Sequence, residues 1–446
     1  MPRALLSHPR AALLCAYAVL VSAVLNATPL WLDEVLQLGV GWQRTWSGLL
    51  PWIKINPGAV PLPYFVQQLS LKVFGYSTVA ARIPAALFSV LAGLAFIALT
   101  DRVASVEWGK ARKGLALALF LFVPLQFRYA LEARGYSQGL FFAVASMVVF
   151  LDLAAAPSAA RAALYGMTIA VGMYFHPFLV FAVVAQILTA PKIRHAWIAA
   201  ALAGLCFVPW VILQHQARQA YVNPALYPIG HLTPLVALHE LTGGGYVPAV
   251  CLLILAALGL IRGAMPVLLH RLLLFTAIAC IAGPLIGDLA FQYFFAGRQF
   301  LLAMPALALL AAHGFARFWT RSHGTLWTKS LAAAPALAFF AVALAKDYQN
   351  ATVPKDDLAS SADAVAARLT PESCVLTAPA WSRDYFPFFR PGVVFPPCAE
   401  PARSRQIIAV VRPGDTLPPL PAAYSRVSSG QAGRSEVSVY RRVTGN

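Results

Sequence analysis

Two adjacent carboxylates, Asp33 and Glu34, stand at the end of the first long apolar stretch of this 446-residue chain. Almost no other acid occurs in the residues that follow them, up to Asp101. A carboxylate can act as a general base that accepts the proton of an attacking hydroxyl group. An acidic pair at the edge of an apolar segment therefore indicates chemistry at a membrane surface.

Other residues suited to catalysis or binding lie between later apolar stretches. Glu132 and Arg134 share one short connection, and His176 precedes a proline in another. Arg298 precedes a late apolar stretch. Arginine binds phosphate in a bidentate manner, so this set fits a phosphorylated substrate. Two structural alternatives stay open, a mutual ion pair of Glu132 with Arg134 and a hydrogen-bonded interfacial role for His176.

The composition of the chain shows what surrounds these residues. Hydrophobic residues make up 59% of the chain, charged residues 11%, and the mean hydropathy is +0.68. A soluble globular protein carries about 25% charged residues, so the sequence predicts an all-α polytopic membrane protein. An ionised side chain at membrane depth costs several kcal/mol unless it is paired or hydrated, and such residues usually mark a site.

Eleven apolar stretches approach the roughly 20 residues that a helix needs to cross a bilayer. They are 11–29, 83–100, 115–127, 138–155, 162–175, 177–190, 196–213, 247–261, 272–289, 300–315 and 331–345. With the N-terminus inside, the short inside segments hold fourteen Lys and Arg residues and the outside loops hold eight. This bias predicts a cytoplasmic N-terminus and an external C-terminus.

The composition changes after Ala345, which divides the chain into a membrane domain, 1–345, and a soluble domain, 346–446. In the tail, helical spacing of apolar residues predicts a helix at 357–369. The apolar runs 374–377 and 407–411 predict buried strands, so a small α/β domain is expected.

Cysteine positions agree with an external tail. Cys374 and Cys398 lie in the tail, whereas the other four cysteines lie in apolar spans, where a thiol is usually inert packing. An oxidising exterior would allow the two tail cysteines to form a disulfide, and we expect them to do so.

The outside segment after Asp33 carries Trp42, Trp46 and Trp52 at roughly helical spacing. Tryptophan is enriched at membrane interfaces, so this pattern predicts a helix lying in the headgroup layer.

The formal charge of +17 comes from the inside loops and the basic tail, and it favours anionic lipid headgroups as partners. No basic run is dense enough to indicate nucleic-acid binding. The Cys, His and acidic residues show no metal-ligand spacing, so no metal or other cofactor is predicted. No GxxxxGK[ST] loop occurs, which argues against a nucleotide-linked substrate.

Five motifs occur in order along the chain. They are WLDE (Trp31–Glu34), PLPYF (Pro61–Phe65), FGYSTVAARIPAALFSVL (Phe74–Leu91), LEARGYS (Leu131–Ser137) and GRQFLLAMPALALL (Gly297–Leu310). Together they resemble the integral-membrane glycosyltransferases related to protein O-mannosyltransferases and to the aminoarabinose transferases of lipid A. The similarity covers roughly residues 20 to 315, and the tail resembles the outer soluble domain of many such enzymes.

The resemblance implies a GT-C glycosyltransferase fold in a bacterial inner membrane, with the tail in the periplasm. Such enzymes transfer a sugar from a polyprenyl-phosphate carrier to an acceptor glycan, lipid or protein. By the same resemblance, Asp33 is catalytic and Glu34 positions donor or acceptor. Glu132, Arg134 and Arg298 match family residues that bind substrate.

Tyr64 and Tyr136 lie in the matching motifs and are also predicted to contact the substrate. The family motif that contains Tyr64 usually begins with a histidine. In this chain Ala59 stands at that position, followed by Val60 and Pro61. His176 is predicted to contact the substrate and is the candidate to take over its role.

A single displacement of phosphate from a sugar carbon needs one base and inverts the anomeric centre, so inversion is predicted. Two other classes stay open. A transporter or lipid flippase would also have many spans, although it would place charges near mid-span. A polymerase or ligase of surface polysaccharide would use similar lipid-linked donors.

Overall fold

The computed structural model describes residues 9–41, 45–55, 58–103, 108–221, 233–243, 245–261, 265–291, 296–321, 326–399 and 404–443. The chain divides into two compact units. The first comprises Met1–Leu25 and Val40–Thr352, and the second comprises Asn26–Gly39 and Val353–Asn446. The predicted domain limits at 345 and 346 stay a prediction.

Helices follow one another along the chain up to residue 352. They are α1 (Pro9–Val24), α2 (Leu32–Gly41), α3 (Trp46–Ile55), α4 (Pro61–Phe74), α5 (Thr78–Val103), α6 (Lys110–Leu121), α7 (Pro124–Ala130), α8 (Tyr136–Ala155), α9 (Ala159–Phe175), α10 (Leu179–Thr189), α11 (Arg194–Tyr221), α12 (Pro234–Glu240), α13 (Tyr246–Leu260), α14 (Val267–Phe291), a 3₁₀ helix (Gly297–Ala303), α15 (Met304–Arg321) and α16 (Leu326–Thr352). In lipid, helices satisfy every backbone polar group internally, which is why the apolar stretches fold this way.

Six helices in the described part of the chain are long and apolar enough to cross a membrane, or seven if one bent pair counts as a span. The bent pair is α6 and α7, which meet at 61°. Pro124 begins α7, and because proline has no backbone N–H to donate, it favours a new helix start there. The chain is a multi-pass membrane protein, and the predicted number of eleven spans stays a prediction.

Small residues allow close helix packing in the core of the first unit. Gly259 on α13 and Gly314 on α15 lie against backbone carbonyl groups of the opposite helix, where a Cβ atom would collide. Such small-residue contacts bring helices together where lipid provides no hydrophobic drive. The 3₁₀ helix that precedes α15 packs against α8 and α14 and is thereby held at the end of the bundle.

The predicted interfacial helix is partly described. Trp46 and Trp52 lie on α3, and their side chains are 44% and 48% exposed. Trp42 lies outside the described residues. Exposed tryptophans on a short helix fit the interfacial role that the sequence predicts.

The second unit contains a four-stranded sheet of order β1-β2-β4-β3. Its elements are α17 (Leu358–Ala366), β1 (Ser373–Ala378), a 3₁₀ helix (Ala380–Tyr385), α18 (Phe386–Phe389), β2 (Gln406–Val411), β3 (Tyr424–Ala432) and β4 (Ser435–Arg442). β1 and β2 are parallel, and the other neighbours are antiparallel. The predicted small α/β domain is confirmed, with β3 and β4 as additional strands.

Two local features stabilise this unit. Cys374 and Cys398 form the predicted disulfide, which closes a connection of 24 residues. The Asp357 carboxylate caps α17 by accepting a hydrogen bond from the Ser360 backbone N–H at 2.9 Å.

Candidate active site

Three connections of the first unit place polar side chains at the ends of its helices. α7 ends at Ala130 and is followed by a tight turn to Tyr136, the first residue of α8. α9 ends beside His176, and the 3₁₀ helix begins at Gly297. Each connection is short, so its side chains are fixed by the helices on either side.

The Tyr136 ring is the centre of this group. The guanidinium carbon of Arg134 lies 5.7 Å from the ring centroid, and that of Arg298 lies 5.6 Å from it. The Tyr129 ring lies 4.6 Å from Tyr136 and the His176 ring 5.3 Å. Two arginines from connections more than 150 residues apart in the sequence therefore meet on one aromatic ring, a favourable cation–π arrangement.

Glu132 forms an ion pair with Arg128 in the structure. Arg128 Nε donates to Glu132 Oε1 at 2.9 Å, and the carboxylate is buried. The sequence analysis instead considered Arg134 as its partner. Since a buried ion pair is costly to break, Glu132 holds Arg128 in place at the end of α7. We name Arg128, Glu132, Arg134, Tyr136 and Arg298 the arginine cluster.

Hydrogen bonds fix the turn that carries Arg134. Gln67 Nε2 donates to the Ala133 carbonyl at 3.2 Å, and Ser137 Oγ donates to the Tyr129 carbonyl at 2.8 Å. A Cβ atom on Gly135 would lie 2.8 Å from the Pro63 side chain. This close approach brings the PLPYF motif on α4 against the turn.

Tyr64 belongs to the same neighbourhood. The Arg134 and Tyr136 side chains both act electrostatically on its hydroxyl group. Burial is the main influence and raises the pKa of Tyr64, while Arg134 opposes it. The phenol therefore keeps its proton at neutral pH and can donate a hydrogen bond to an anionic oxygen.

His176 packs directly on the arginine cluster. A Cβ atom on Gly139 would lie 2.6 Å from His176 Cβ, so only glycine leaves room for the imidazole. His176 Nδ1 is buried and has no hydrogen-bond partner among the described residues, so the hydrogen-bonded alternative does not account for this nitrogen. Burial, followed by the charges of Arg298 and Arg134, lowers the pKa of His176 from 6.5 to about 4.

This lowered pKa predicts a pH dependence of stability. Between pH 6.5 and about 4 the unfolded chain binds a proton that the folded chain does not. The free energy of unfolding therefore rises with pH across this window and falls on acidification. We expect His176→Asn to flatten the pH dependence of the Tm in this window, whereas the exposed His195→Asn should leave it unchanged. If the Tm changes with pH equally in wild type and in His176→Asn, the pH dependence does not come from His176.

Sequence reasoning missed the position of Glu240. A Cβ atom on Gly297 would lie 2.5 Å from the Glu240 Oε2 atom, so this acid contacts the residue before Arg298. It also interacts electrostatically with Arg128. The sequence suggests that Glu240 and Asp288 are solvated loop acids. Glu240 has these contacts instead, and Asp288 lies on α14 and is only 8% exposed. No motif marks either residue, and only the packing of α12 on the 3₁₀ helix brings Glu240 there.

The acidic pair lies in the second unit, in the first turn of α2. Glu34 is buried, and its Oε2 accepts a hydrogen bond from the Trp31 backbone N–H at 3.2 Å. This contact is half of a capping box and fixes the start of the helix. Asp33 is only partly buried. Both carboxylates lie at a helix N-terminus, where the helix dipole favours negative charge.

Solved structures with a similar fold are found. ArnT from Cupriavidus metallidurans in the apo state has a TM-score of 0.57 and 15% sequence identity, covering 96% of this chain and 97% of that one. The same protein bound to undecaprenyl phosphate has a TM-score of 0.56 and 16% identity, with the same coverage. An Archaeoglobus fulgidus oligosaccharyltransferase tethered with an acceptor peptide has a TM-score of 0.52 and 14% identity, over 89% of this chain and 64% of that one.

No protein-family model matches the sequence, and no curated protein matches it. At the identities above, the structural similarity establishes the fold. The predicted fold class, helical and polytopic with a small soluble domain, is confirmed. The chain has the GT-C fold and shares it with ArnT and with the oligosaccharyltransferase.

Proposed function

We propose that this protein is an inverting glycosyltransferase that moves a sugar from a polyprenyl-phosphate carrier to an acceptor. The observation that carries the proposal is the arginine cluster, in which Arg134 and Arg298 flank one tyrosine ring. A pair of permanently charged guanidinium groups can grip a phosphate group and stabilise the charge that develops on it.

The fold supports the same choice of substrate. ArnT, which shares this fold, has been solved with undecaprenyl phosphate bound. The arginine cluster lies at the ends of apolar helices, so a lipid tail could remain in the bilayer while its phosphate meets the arginines. Tyr64 and His176 add neutral polar groups beside Arg134.

In the proposed reaction, Asp33 accepts the proton of the acceptor hydroxyl group as its oxygen attacks the anomeric carbon. The bond between that carbon and the phosphate oxygen breaks, and polyprenyl phosphate leaves with the electron pair. Arg134 and Arg298 stabilise the departing phosphate. Glu34 fixes the helix turn that carries Asp33, and one displacement inverts the anomeric configuration.

The proposal includes a location. From the Lys and Arg bias of the loops we infer a cytoplasmic N-terminus in a bacterial inner membrane, with the arginine cluster at the outer face. By the same inference the tail lies in the periplasm. Membrane lipids, the lipid-linked sugar and an acceptor glycan, lipid or protein are the expected partners.

Mass spectrometry of glycolipids and envelope glycans, from cells with and without the protein, tests the function. We expect one glycan species to lose a single sugar when the protein is absent. Purified protein in detergent, given lipid-linked sugar from those cells, should regenerate that species with inverted anomeric configuration. A transporter or flippase would give no product in detergent, and a product of retained configuration would exclude the single displacement.

A further inference from the structure

A buried carboxylate lies outside the arginine cluster, on the last long helix of the first unit. Asp347 on α16 is 4% exposed. In the part of the chain that the structure describes, neither of its carboxylate oxygens has a hydrogen-bond partner. An ionised carboxylate in such surroundings costs several kcal/mol unless its charge is compensated.

A hydrogen-bonded group of three residues lies on the helices next to Asp347. Asp347 interacts electrostatically with the hydroxyl group of Tyr17 on α1. That hydroxyl lies 2.7 Å from Ser89 Oγ, which also accepts a hydrogen bond from Gln126 Nε2 at 3.2 Å. The other amide atom, Gln126 Oε1, is buried and has no partner among the described residues. α16 packs on α7, the helix that carries Gln126.

A second group of one tyrosine, one serine and one glutamine in the same bundle serves as a comparison. Elsewhere in the bundle, Tyr165 donates to Gln186 Oε1 at 2.7 Å, and Gln186 Nε2 donates to Ser146 Oγ at 2.8 Å. Both amide atoms of Gln186 are therefore satisfied by protein groups. In the group around Tyr17 only the amide nitrogen of Gln126 has a partner among the described residues, and its oxygen has none. Gln126 lies on the helix that packs against the helix of Asp347.

We propose that Asp347, Gln126 and Tyr17 form a buried site for a monovalent cation, with Na⁺ as its ligand. Carboxylate, amide and phenol oxygens are hard ligands that suit a small hard cation. A protonated Asp347 would also be neutral, and its O–H could donate a hydrogen bond to an amide oxygen. The Na⁺ dependence measured below distinguishes the two states, because a protonated carboxyl group gives no response to Na⁺ at constant pH.

The charge of the site selects a monovalent ion. Asp347 supplies one negative charge, and no group of three or more His, Cys, Asp or Glu residues suited to a metal occurs among the described residues. Divalent ions in proteins usually take several charged ligands. Asn350, one helical turn after Asp347, has a buried Nδ2 without a partner in the described chain and can hold a water that completes the coordination.

The test uses the full-length protein in detergent and needs no assay of sugar transfer. The Tm is followed by tryptophan fluorescence while NaCl replaces choline chloride at constant ionic strength. A cation that binds only the folded state raises the Tm as its concentration passes the Kd and continues to raise it logarithmically. We expect a rise of several degrees in wild type and direct binding of ²²Na⁺ to a single site.

Variants assign the response to the site. Asp347→Asn should abolish both the Na⁺-dependent shift and ²²Na⁺ binding. Tyr17→Phe should weaken Na⁺ affinity about fivefold, as expected for one lost ligand of ~1 kcal/mol. Tyr165→Phe removes the corresponding hydroxyl from the group of Tyr165, Gln186 and Ser146, whose amide atoms are all satisfied. The Tm of this variant should respond to Na⁺ as that of wild type does. An equal Tm in NaCl and choline chloride for wild type would overturn the proposal. So would an unchanged Na⁺ response in Asp347→Asn.

Discussion

Asp33→Asn is expected to lower the rate of sugar transfer about 10³-fold, because the amide cannot accept the proton of the attacking hydroxyl group. The side chain has the same shape and Asp33 is only partly buried, so the variant should fold and insert normally. The measurement is restoration of the missing glycan in cells that lack the wild-type protein, followed by kcat of the purified variant.

Two further acids serve as comparisons. Glu34→Gln keeps an oxygen that can accept the Trp31 N–H, so the capping contact should survive and the loss of activity should be smaller. Asp415→Asn changes an exposed acid of the same unit and should leave activity at the wild-type level. If Asp33→Asn inserts normally and restores the glycan fully, Asp33 is not the base.

The helical part of the fold could be predicted because apolar stretches near span length leave the chain few alternatives in lipid. The break at Pro124 could not be predicted, because the sequence shows the proline but not the 61° angle between the two helices. α7 begins after that break and ends at Ala130, so Arg128 lies in its last turn and Glu132 in the turn that follows. The ion pair of Glu132 with Arg128 was not among the alternatives that the sequence left open.

The motifs that resemble those of a known family contain four members of the arginine cluster, Glu132, Arg134, Tyr136 and Arg298. Long-range packing decided the rest. Glu240 reaches the residue before Arg298 only through the arrangement of α12 and the 3₁₀ helix. Asp347 follows the change of composition at Ala345, and α16 continues through it to Thr352 and buries it. The sequence alone shows neither contact, because each depends on helices distant along the chain.

Arg298→Gln is expected to lower kcat/KM for the lipid-linked sugar about 10²- to 10³-fold, the usual effect of removing one group that stabilises developing charge. The guanidinium lies over the Tyr136 ring beside Arg134, so its loss removes one of the two charges proposed to hold the phosphate. Arg298→Lys keeps the charge but not the planar fork, and we expect it to recover only part of the activity.

Arg161→Gln is the matched control, because Arg161 lies on the first turn of α9 and His176 follows its last residue. The helix is 17 residues long, which separates the two ends by about 25 Å. This variant should keep wild-type activity and wild-type affinity for polyprenyl phosphate. If Arg298→Gln also keeps both while Asp33→Asn loses activity, the base is correctly assigned and the phosphate is held without Arg298. If both variants stay active, the proposed chemistry fails as a whole.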